Sequence, residues 1–303
     1  MPTVQKSKNK PRVLVVVHDA GEAEIIGAHL QRYPQHFAYH ALAMGAAASV
    51  FKRRGITFAT ARNNISSVRS SLQTYPLLDF VLLGTGDGSP IAWKYVTECR
   101  KLGIQTVGYL DHWVSYRERF GYPLRDWKSH LPDTLWVGDQ YAMKLAQKLL
   151  PVQKIILVPN EYFLEIQRKY KKKPISVKQG LLFISQPHHE GFETLRNTLE
   201  LVMRYNPSLP VRVRLHPREQ KTAYQKLIAS YAKKVDVRIT KNKNILTDLR
   251  KANVVVGIES MALVVALSCG KKTISIMPNG THCPLPFTKI HKIHSVKDLR
   301  KMW

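Results

Sequence analysis

The sequence is poor in cysteine and contains no long apolar run. Its 303 residues include 3 cysteines, none of them in a C-x-x-C spacing, which disfavours a disulfide framework and a cysteine metal site. The apolar run at 13–17 is too short for a signal peptide. The longest one, Val254–Leu267, is interrupted by a polar pair and falls short of the ~20 residues of a spanning helix. We therefore expect a protein of the reducing cytoplasm.

Acidic residues are also scarce. Lys and Arg number 47 against 21 Asp and Glu, a formal net charge of +26, which indicates an anionic partner or surface. The excess is larger in 159–303, with 27 basic and 10 acidic residues, than in 1–158, with 20 and 11. A nucleic-acid backbone would match this charge, but the basic residues are dispersed and no known binding module is visible. Contact with an anionic membrane or a polyanion is the favoured interpretation.

Short β-branched runs alternate with amphipathic segments of helix length along the whole chain. Several runs are almost entirely apolar, as expected of strands that helices cover on both faces. The pattern predicts parallel sheets of the α/β class, and twelve strands are enough for two sheets. The predicted strands are 13–17, 37–43, 56–59, 80–83, 106–110, 135–137, 155–158, 181–185, 211–215, 235–239, 254–257 and 273–276.

The chain is predicted to divide where a charge run meets a helix breaker. Residues 170–174 read Tyr-Lys-Lys-Lys-Pro, and proline ends helices. We therefore expect one Rossmann-like domain at 1–158, a linker at 159–179 and a second Rossmann-like domain at 180–303.

Polar residues follow three of the predicted strands in the first half, where open α/β sheets bind their ligands. Carboxylates at that position suit a general base, and the candidates are Asp111, then Asp87, with Asp19 as a third alternative. Asp19 and Asp87 also fit a purely structural role as helix caps. Nearby aromatic rings and cations suit stacking and anion binding. The predicted binding residues of this half are Asp19, Gly21, His112, Trp113, Tyr116 and Arg117.

The second half contains a predicted anion site. The segment 214–217 closes one strand, and a Gly-Ile-Glu-Ser turn at 257–260 leads from another strand into a helix at 261–268. A serine hydroxyl and the first amides of a helix point at one place, which suits a nucleotide phosphate. No metal is predicted, because the adjacent histidines at 188–189 point to opposite sides and lack a third ligand. The predicted ligands are Ser185, His188, Arg214, His216, Pro217, Arg218, Gly257, Glu259 and Ser260.

Two segments carry a resemblance to known enzymes. Leu249–Pro278 resembles the nucleotide-binding βαβ unit of the glycosyltransferase B superfamily, and Arg214–Pro217 resembles the His-Pro motif of bacterial sialyltransferases. The resemblance implies two Rossmann-like domains with parallel sheets facing across a cleft, an acceptor domain first and a nucleotide-sugar-binding domain second. It also implies that His216 assists the departing phosphate, that Ser260 binds the donor, and that neither a metal nor a cofactor is needed.

A second resemblance is to UDP-N-acetylglucosamine 2-epimerases, which share that fold. Their strand-end acidic residues would fall near Asp87 and Asp111, and their histidine turn near 187–189. Those epimerases carry a glutamate after the glycine-serine turn, whereas Met261–Val265 is apolar here, which disfavours an epimerase.

The sequence therefore predicts a metal-independent glycosyltransferase of polysaccharide biosynthesis. It would move a sugar from a nucleotide-sugar donor to a hydroxyl of a glycan or lipid-linked acceptor, at the inner face of the membrane. An epimerase of the same fold and a basic nucleic-acid-binding protein remain as alternatives.

Overall fold

The chain forms two compact α/β units, Met1–Tyr162 and Phe163–Trp303. The computed structural model describes residues 10–86, 89–152, 154–172, 180–187, 189–216, 219–242, 244–277 and 281–301. Each unit has its own parallel sheet and its own buried core.

The sheet of the first unit has seven parallel strands in the order β3-β2-β1-β4-β5-β6-β7. The central strand β1 carries five buried residues in succession, because helices cover both faces of the sheet. The strands are β1 (Arg12–Val17), β2 (Ala38–Ala43), β3 (Ala59–Thr60), β4 (Phe80–Gly84), β5 (Gln105–Leu110), β6 (Thr134–Val137) and β7 (Lys154–Leu157).

In the described residues of the first unit, five α-helices accompany this sheet, and the first four divide between its faces. Helices α1 and α2 pack on the face formed by Val13, Val15 and Val17, whereas α3 and α4 pack on the face of Leu14 and Val16. Two short 3-10 helices, Glu118–Phe120 and Trp127–His130, lie between β5 and β6. The helices are α1 (Ala20–Arg32), α2 (Gly45–Arg54), α3 (Ile65–Thr74), α4 (Ile91–Lys101) and α5 (Gln140–Leu149).

The sheet of the second unit has six parallel strands in the order β10-β9-β8-β11-β12-β13. All five residues of the central β8 are buried. The elements after β7 are α6 (Glu161–Lys171), β8 (Gly180–Ile184), α7 (His189–Tyr205), β9 (Val211–Arg214), α8 (Lys221–Tyr231), β10 (Val237–Ile239), α9 (Ile245–Leu249), β11 (Ala252–Gly257), α10 (Met261–Ser268), β12 (Lys272–Ile276), β13 (Ile290–Ile293) and a 3-10 helix at Val296–Lys301.

The predicted fold class is confirmed, and the described chain differs from the predicted elements at a few places. All twelve predicted strands are present, although the third is only Ala59–Thr60. The edge strand β13 was not predicted because its two central residues, His291 and Lys292, are exposed and polar. The predicted linker at 159–179 contains helix α6. Within the described ranges, no helix is both long and apolar enough to cross a bilayer.

The close approach of β8 and β9 yields a stability prediction. A Cβ at Gly180 would overlap the carbonyl oxygen of Pro210, which accepts the Leu181 N–H at 2.8 Å. We expect Gly180→Ala to lower the free energy of unfolding by roughly 1–3 kcal/mol, because backbone cannot move aside as a side chain can. Urea unfolding measures this.

Gly103→Asn is the matched control. Gly103 has a φ of +67° and open space around its Cβ position, and asparagine tolerates that backbone. Equal stability of the two variants would contradict the overlap at Pro210.

Candidate functional site

The carboxyl ends of three adjacent strands form the candidate site of the first unit. β1 pairs with β4, and β4 pairs with β5, so the residues that follow these strands share one edge. The structure thereby brings together Asp19 and Gly21, from the turn after β1, and Asp111, which follows β5.

Glu22, in the first turn of α1, lies at the centre of this edge. Its side chain is 1% exposed, and it accepts backbone N–H groups from His18, Asp19 and Gly86, the last two at 2.9 and 2.7 Å. Burial raises the pKa of Glu22 from its usual 4.5 to about 7, against the lowering effect of the His18 hydrogen bond and together with the nearby charge of Asp111. One carboxyl group therefore joins the ends of β1 and β4.

Two glycines at the end of β4 make room for these carboxylates. A Cβ at Gly84 would overlap the carboxyl group of Glu22, and a Cβ at Gly86 would overlap Asp19. In the described part of this turn, the two glycines therefore make room for the acidic residues at the start of α1.

Asp111 is held by an ion pair. Its Oδ1 accepts Arg119 Nη1 at 2.6 Å, and the two side chains are 11% and 4% exposed. Arg119 also donates to the carbonyls of Thr85 and Val114 at 2.8 and 3.0 Å. These contacts engage Oδ1 of Asp111 and hold its side chain in place, and its role as a base remains a prediction.

His18 and Asp19 form the solvent-reaching pair of the edge. His18 Nδ1 lies 3.2 Å from Asp19 Oδ1, and the side chains are 26% and 36% exposed. When Nδ1 donates to the carboxylate, Nε2 carries the lone pair that accepts a proton. The ring lies against Gly45, whose φ is +51° and whose Cβ would stand 3.3 Å from His18 Nε2.

The aromatic segment after β5 packs inward. Trp113 and Tyr116 are 6% and 2% exposed, and Trp113 Nε1 donates to Asp139 Oδ2 at 2.9 Å. Arg117 donates to the carbonyl of Leu149 at 3.2 Å, and His112 is partly exposed. The rings thus form core packing and not an open stacking surface, and the acceptor-binding role of these residues remains a prediction.

In the second unit, Glu219 fixes the turn that carries His216. Its Oε2 accepts the His216 N–H at 2.6 Å, and its Oε1 accepts the hydroxyls of Ser185, at 2.7 Å, and Tyr224. Burial and the bond to Glu219 both raise the pKa of Tyr224. The predicted donor ligand Ser185 is 2% exposed and serves this cluster, so the histidine turn is tied to the end of β8.

Arg214 lies beside the same turn but faces a carboxylate of its own unit. Its Nη1 donates to Asp248 Oδ2 at 2.7 Å and to the Asn242 carbonyl at 2.9 Å. Asp248 is 4% exposed and also accepts Thr240 Oγ1 at 2.6 Å. These contacts anchor β9, and a donor-binding role for Arg214 remains a prediction.

The Ser260 turn has the form that the sequence predicts. Ser260 Oγ accepts the Ala262 N–H at 3.2 Å, and α10 runs over Met261–Ser268 with no acidic residue in its first turn. The Glu259 N–H donates to Gln186 Oε1 at 2.7 Å. A Cβ at Gly257 would meet the Ile184 carbonyl oxygen at 3.0 Å. The positive end of α10 therefore has no carboxylate in its first turn, which suits an anion.

Four predicted site residues, Asp87, His188, Pro217 and Arg218, lie outside the described residues. Three residues of the two edges were not predicted as site residues: His18, Glu22 and Glu219. Glu22 stands three residues after Asp19, a spacing that indicates a helix start, but burial of its carboxyl group depends on glycines sixty residues away. In the described ranges, no group of three His, Cys, Asp or Glu side chains could hold a metal ion.

Comparisons with known proteins show the fold and no closer relationship. No protein-family model matches the chain, and no curated protein matches it. Among solved structures, it is similar to a UDP-GlcNAc 2-epimerase from Neisseria meningitidis bound to UDP-GlcNAc, with a TM-score of 0.65 and 16% identity over 88% of this chain and 82% of the other.

The chain is also similar to two further solved structures. MurG from Acinetobacter baumannii gives a TM-score of 0.55 and 13% identity over 92% of this chain and 79% of the other. A glycosyltransferase from Rickettsia africae gives a TM-score of 0.63 and 10% identity over 97% of this chain and 87% of the other. The two parallel-sheet α/β units are thus those of the glycosyltransferase B fold, which transferases and epimerases share.

The buried carboxyl group yields a pH prediction. The pKa of Glu22 is raised in the folded state. The contribution of this group to the free energy of unfolding is therefore fully present below pH 4.5 and is lost as the pH rises towards 7. We expect the wild-type free energy of unfolding to fall over that window by up to about 3 kcal/mol relative to Glu22→Gln. Urea unfolding at several pH values measures the difference.

Glu118→Gln, at an exposed carboxylate, is the control and should follow the wild-type profile. Parallel profiles for the wild type and Glu22→Gln would show that burial does not govern this carboxyl group.

Proposed function

We propose that the protein is a metal-independent glycosyltransferase that moves a sugar from a nucleotide-sugar donor to a hydroxyl of a glycan or lipid-linked acceptor. The observation that carries the proposal is the solvent-reaching His18–Asp19 pair at the carboxyl edge of the first sheet. The fold supports it, since structures of the same fold include glycosyltransferases and a protein bound to UDP-GlcNAc.

The second unit is assigned the donor phosphate. The amino end of α10, capped by Ser260, is the positive end of the helix dipole and has no carboxylate in its first turn. Glu219 holds the His216 backbone at the neighbouring strand end. As the bond between the anomeric carbon and the phosphate oxygen breaks, the positive end of α10 and His216 stabilise the negative charge that grows on the phosphate.

The first unit is assigned the acceptor hydroxyl. His18 Nε2 takes the proton of that hydroxyl, and the Asp19 carboxylate stabilises the resulting imidazolium. The acceptor oxygen then bonds to the anomeric carbon as the nucleotide leaves with the bonding electron pair. His18 replaces Asp111 as the proposed base because Asp111 is paired with Arg119. Glu22 positions the pair by accepting both backbone N–H groups.

A nucleotide-sugar 2-epimerase is the second candidate. The similarity to UDP-GlcNAc 2-epimerases supports it to the same degree, and the two activities leave different products. The test is incubation with a panel of CDP-, CMP-, UDP- and GDP-sugars, with and without glycan acceptors, followed by mass spectrometry and NMR. Release of the nucleotide with a glycosylated acceptor supports a transferase, whereas an isomeric nucleotide sugar of unchanged mass supports an epimerase.

The base assignment predicts the effect of one substitution. We expect His18→Ala to lower kcat about 10²-fold to 10⁴-fold with little change in the donor KM, because the donor phosphate is assigned to the second unit. Asp111→Asn serves as the contrast and should mainly lower the unfolding temperature, since it leaves the buried Arg119 without its carboxylate. Full activity of His18→Ala would remove His18 from the reaction.

The assignment of the donor phosphate to the amino end of α10 predicts the effect of a second substitution. Ser260→Asp keeps a good helix cap and places a negative charge where the phosphate is assigned. We expect unchanged thermal stability and at least about tenfold weaker nucleotide binding by isothermal titration. Ser268→Asp, at the other end of α10, is the control. Unchanged affinity in Ser260→Asp would exclude this helix end as the phosphate site.

A further inference from the structure

Two leucines of the first unit are displayed to solvent. Leu77 is 71% exposed and Leu102 is 60% exposed, the highest values among the large apolar side chains of the described residues. A single exposed leucine is ordinary on a soluble protein, so the position of the pair decides whether it has a meaning.

The two leucines occupy matching positions at the amino edge of the first sheet. Leu77 stands three residues before Phe80, where β4 begins, and Leu102 three residues before Gln105, where β5 begins. Phe80 and Gln105 are paired in register, and adjacent strands lie about 4.8 Å apart. The helices that precede the two turns, α3 and α4, pack against each other. The leucines therefore lie at the same edge of the sheet, on turns that precede two paired strands.

The backbone holds the leucines outward. Leu77 has a φ of +63°, which costs a non-glycine residue of order 1 kcal/mol. The turn is fixed because the Arg12 N–H donates to Asp79 Oδ2 at 2.6 Å and the Asp79 N–H donates to the Arg12 carbonyl at 2.9 Å. Leu78, next to Leu77, and Ile104, two residues after Leu102, are partly buried against the core. Each turn thus packs one apolar side chain on the core and exposes another.

Cations flank this edge. Lys10 and Arg12 are exposed at the start of β1, which pairs with β4, and Lys101 directly precedes Leu102. The carboxylate of Glu98 is already bonded to Arg69 and Lys101. Cations at the carboxyl end of a helix complement its dipole, which accounts for Lys101. The helix dipole accounts neither for Lys10 and Arg12 nor for the exposed leucines.

We propose that this amino edge, formed by Leu77, Leu102, Lys10, Arg12 and Lys101, docks on the surface of an anionic lipid bilayer. Apolar side chains that enter the boundary of the acyl chains and cations that face anionic headgroups are the two contributions that hold peripheral proteins on membranes. A protein partner would need about 800 Å² of complementary surface on each side, whereas a bilayer needs no shape-complementary surface, only apolar side chains and cations. The proposal is independent of the proposed function, because binding to lipid is measured without a donor.

The test is flotation of the full chain with vesicles of phosphatidylcholine mixed with phosphatidylglycerol, and with phosphatidylcholine alone. We expect the wild type to float with the anionic vesicles and L77N/L102Q to bind them about tenfold more weakly, because the apolar contribution is lost. Asparagine fits the left-handed backbone at residue 77, so the variant should keep its unfolding temperature.

Leu124→Gln is the matched control, since Leu124 is 51% exposed but lies on the segment between β5 and β6. It should bind as the wild type does. The proposal is overturned if the wild type does not float with anionic vesicles, if L77N/L102Q floats equally well, or if Leu124→Gln loses as much binding. It is also overturned if L77N/L102Q abolishes a dimer in gel filtration without changing lipid binding, since a second copy would then cover this edge.

Discussion

The contact on which the candidate site depends is the buried carboxyl group of Glu22. It accepts backbone N–H groups from the residues that follow β1 and from Gly86 after β4, so two strand ends are fixed by one side chain. Gly84 and Gly86 lack the side chains that would overlap the carboxylates of Glu22 and Asp19. Burial opposes the ionisation of Glu22 and raises its pKa. The exposed His18–Asp19 pair is placed by this buried group.

The architecture could be predicted from the sequence, because parallel strands that are covered on both faces form continuous apolar runs, as in β1 and β8. The Ser260 turn and α10 could also be predicted, because their signal is local: a cap residue is followed directly by an apolar helix. The edge strand β13 was not predicted because its two central residues, His291 and Lys292, are polar and exposed, as is common in edge strands.

The roles of individual polar residues were less predictable, since they depend on partners distant in sequence. Asp111 was the leading candidate for the base, but Arg119 holds it, and the aromatic residues that suggested a stacking surface are buried. Arg214 is tied to Asp248, thirty-four residues away. A strand-end position indicates which residues gather at an edge, whereas only the packed structure shows which of them remain open to a substrate.

The two edges of the first sheet have different chemistry: the carboxyl edge carries the His18–Asp19 pair, and the amino edge carries the exposed leucines with cations. With strands of about six residues, these edges are about 20 Å apart, so a bilayer at the amino edge leaves the candidate site in water. The central claim is nucleotide-sugar chemistry at the carboxyl edge, and the most direct measurement is turnover of the donor panel by the wild type and His18→Ala. The account predicts acceptor-dependent nucleotide release by the wild type that His18→Ala lacks. Equal turnover by both proteins, or none by the wild type with any donor, would contradict it.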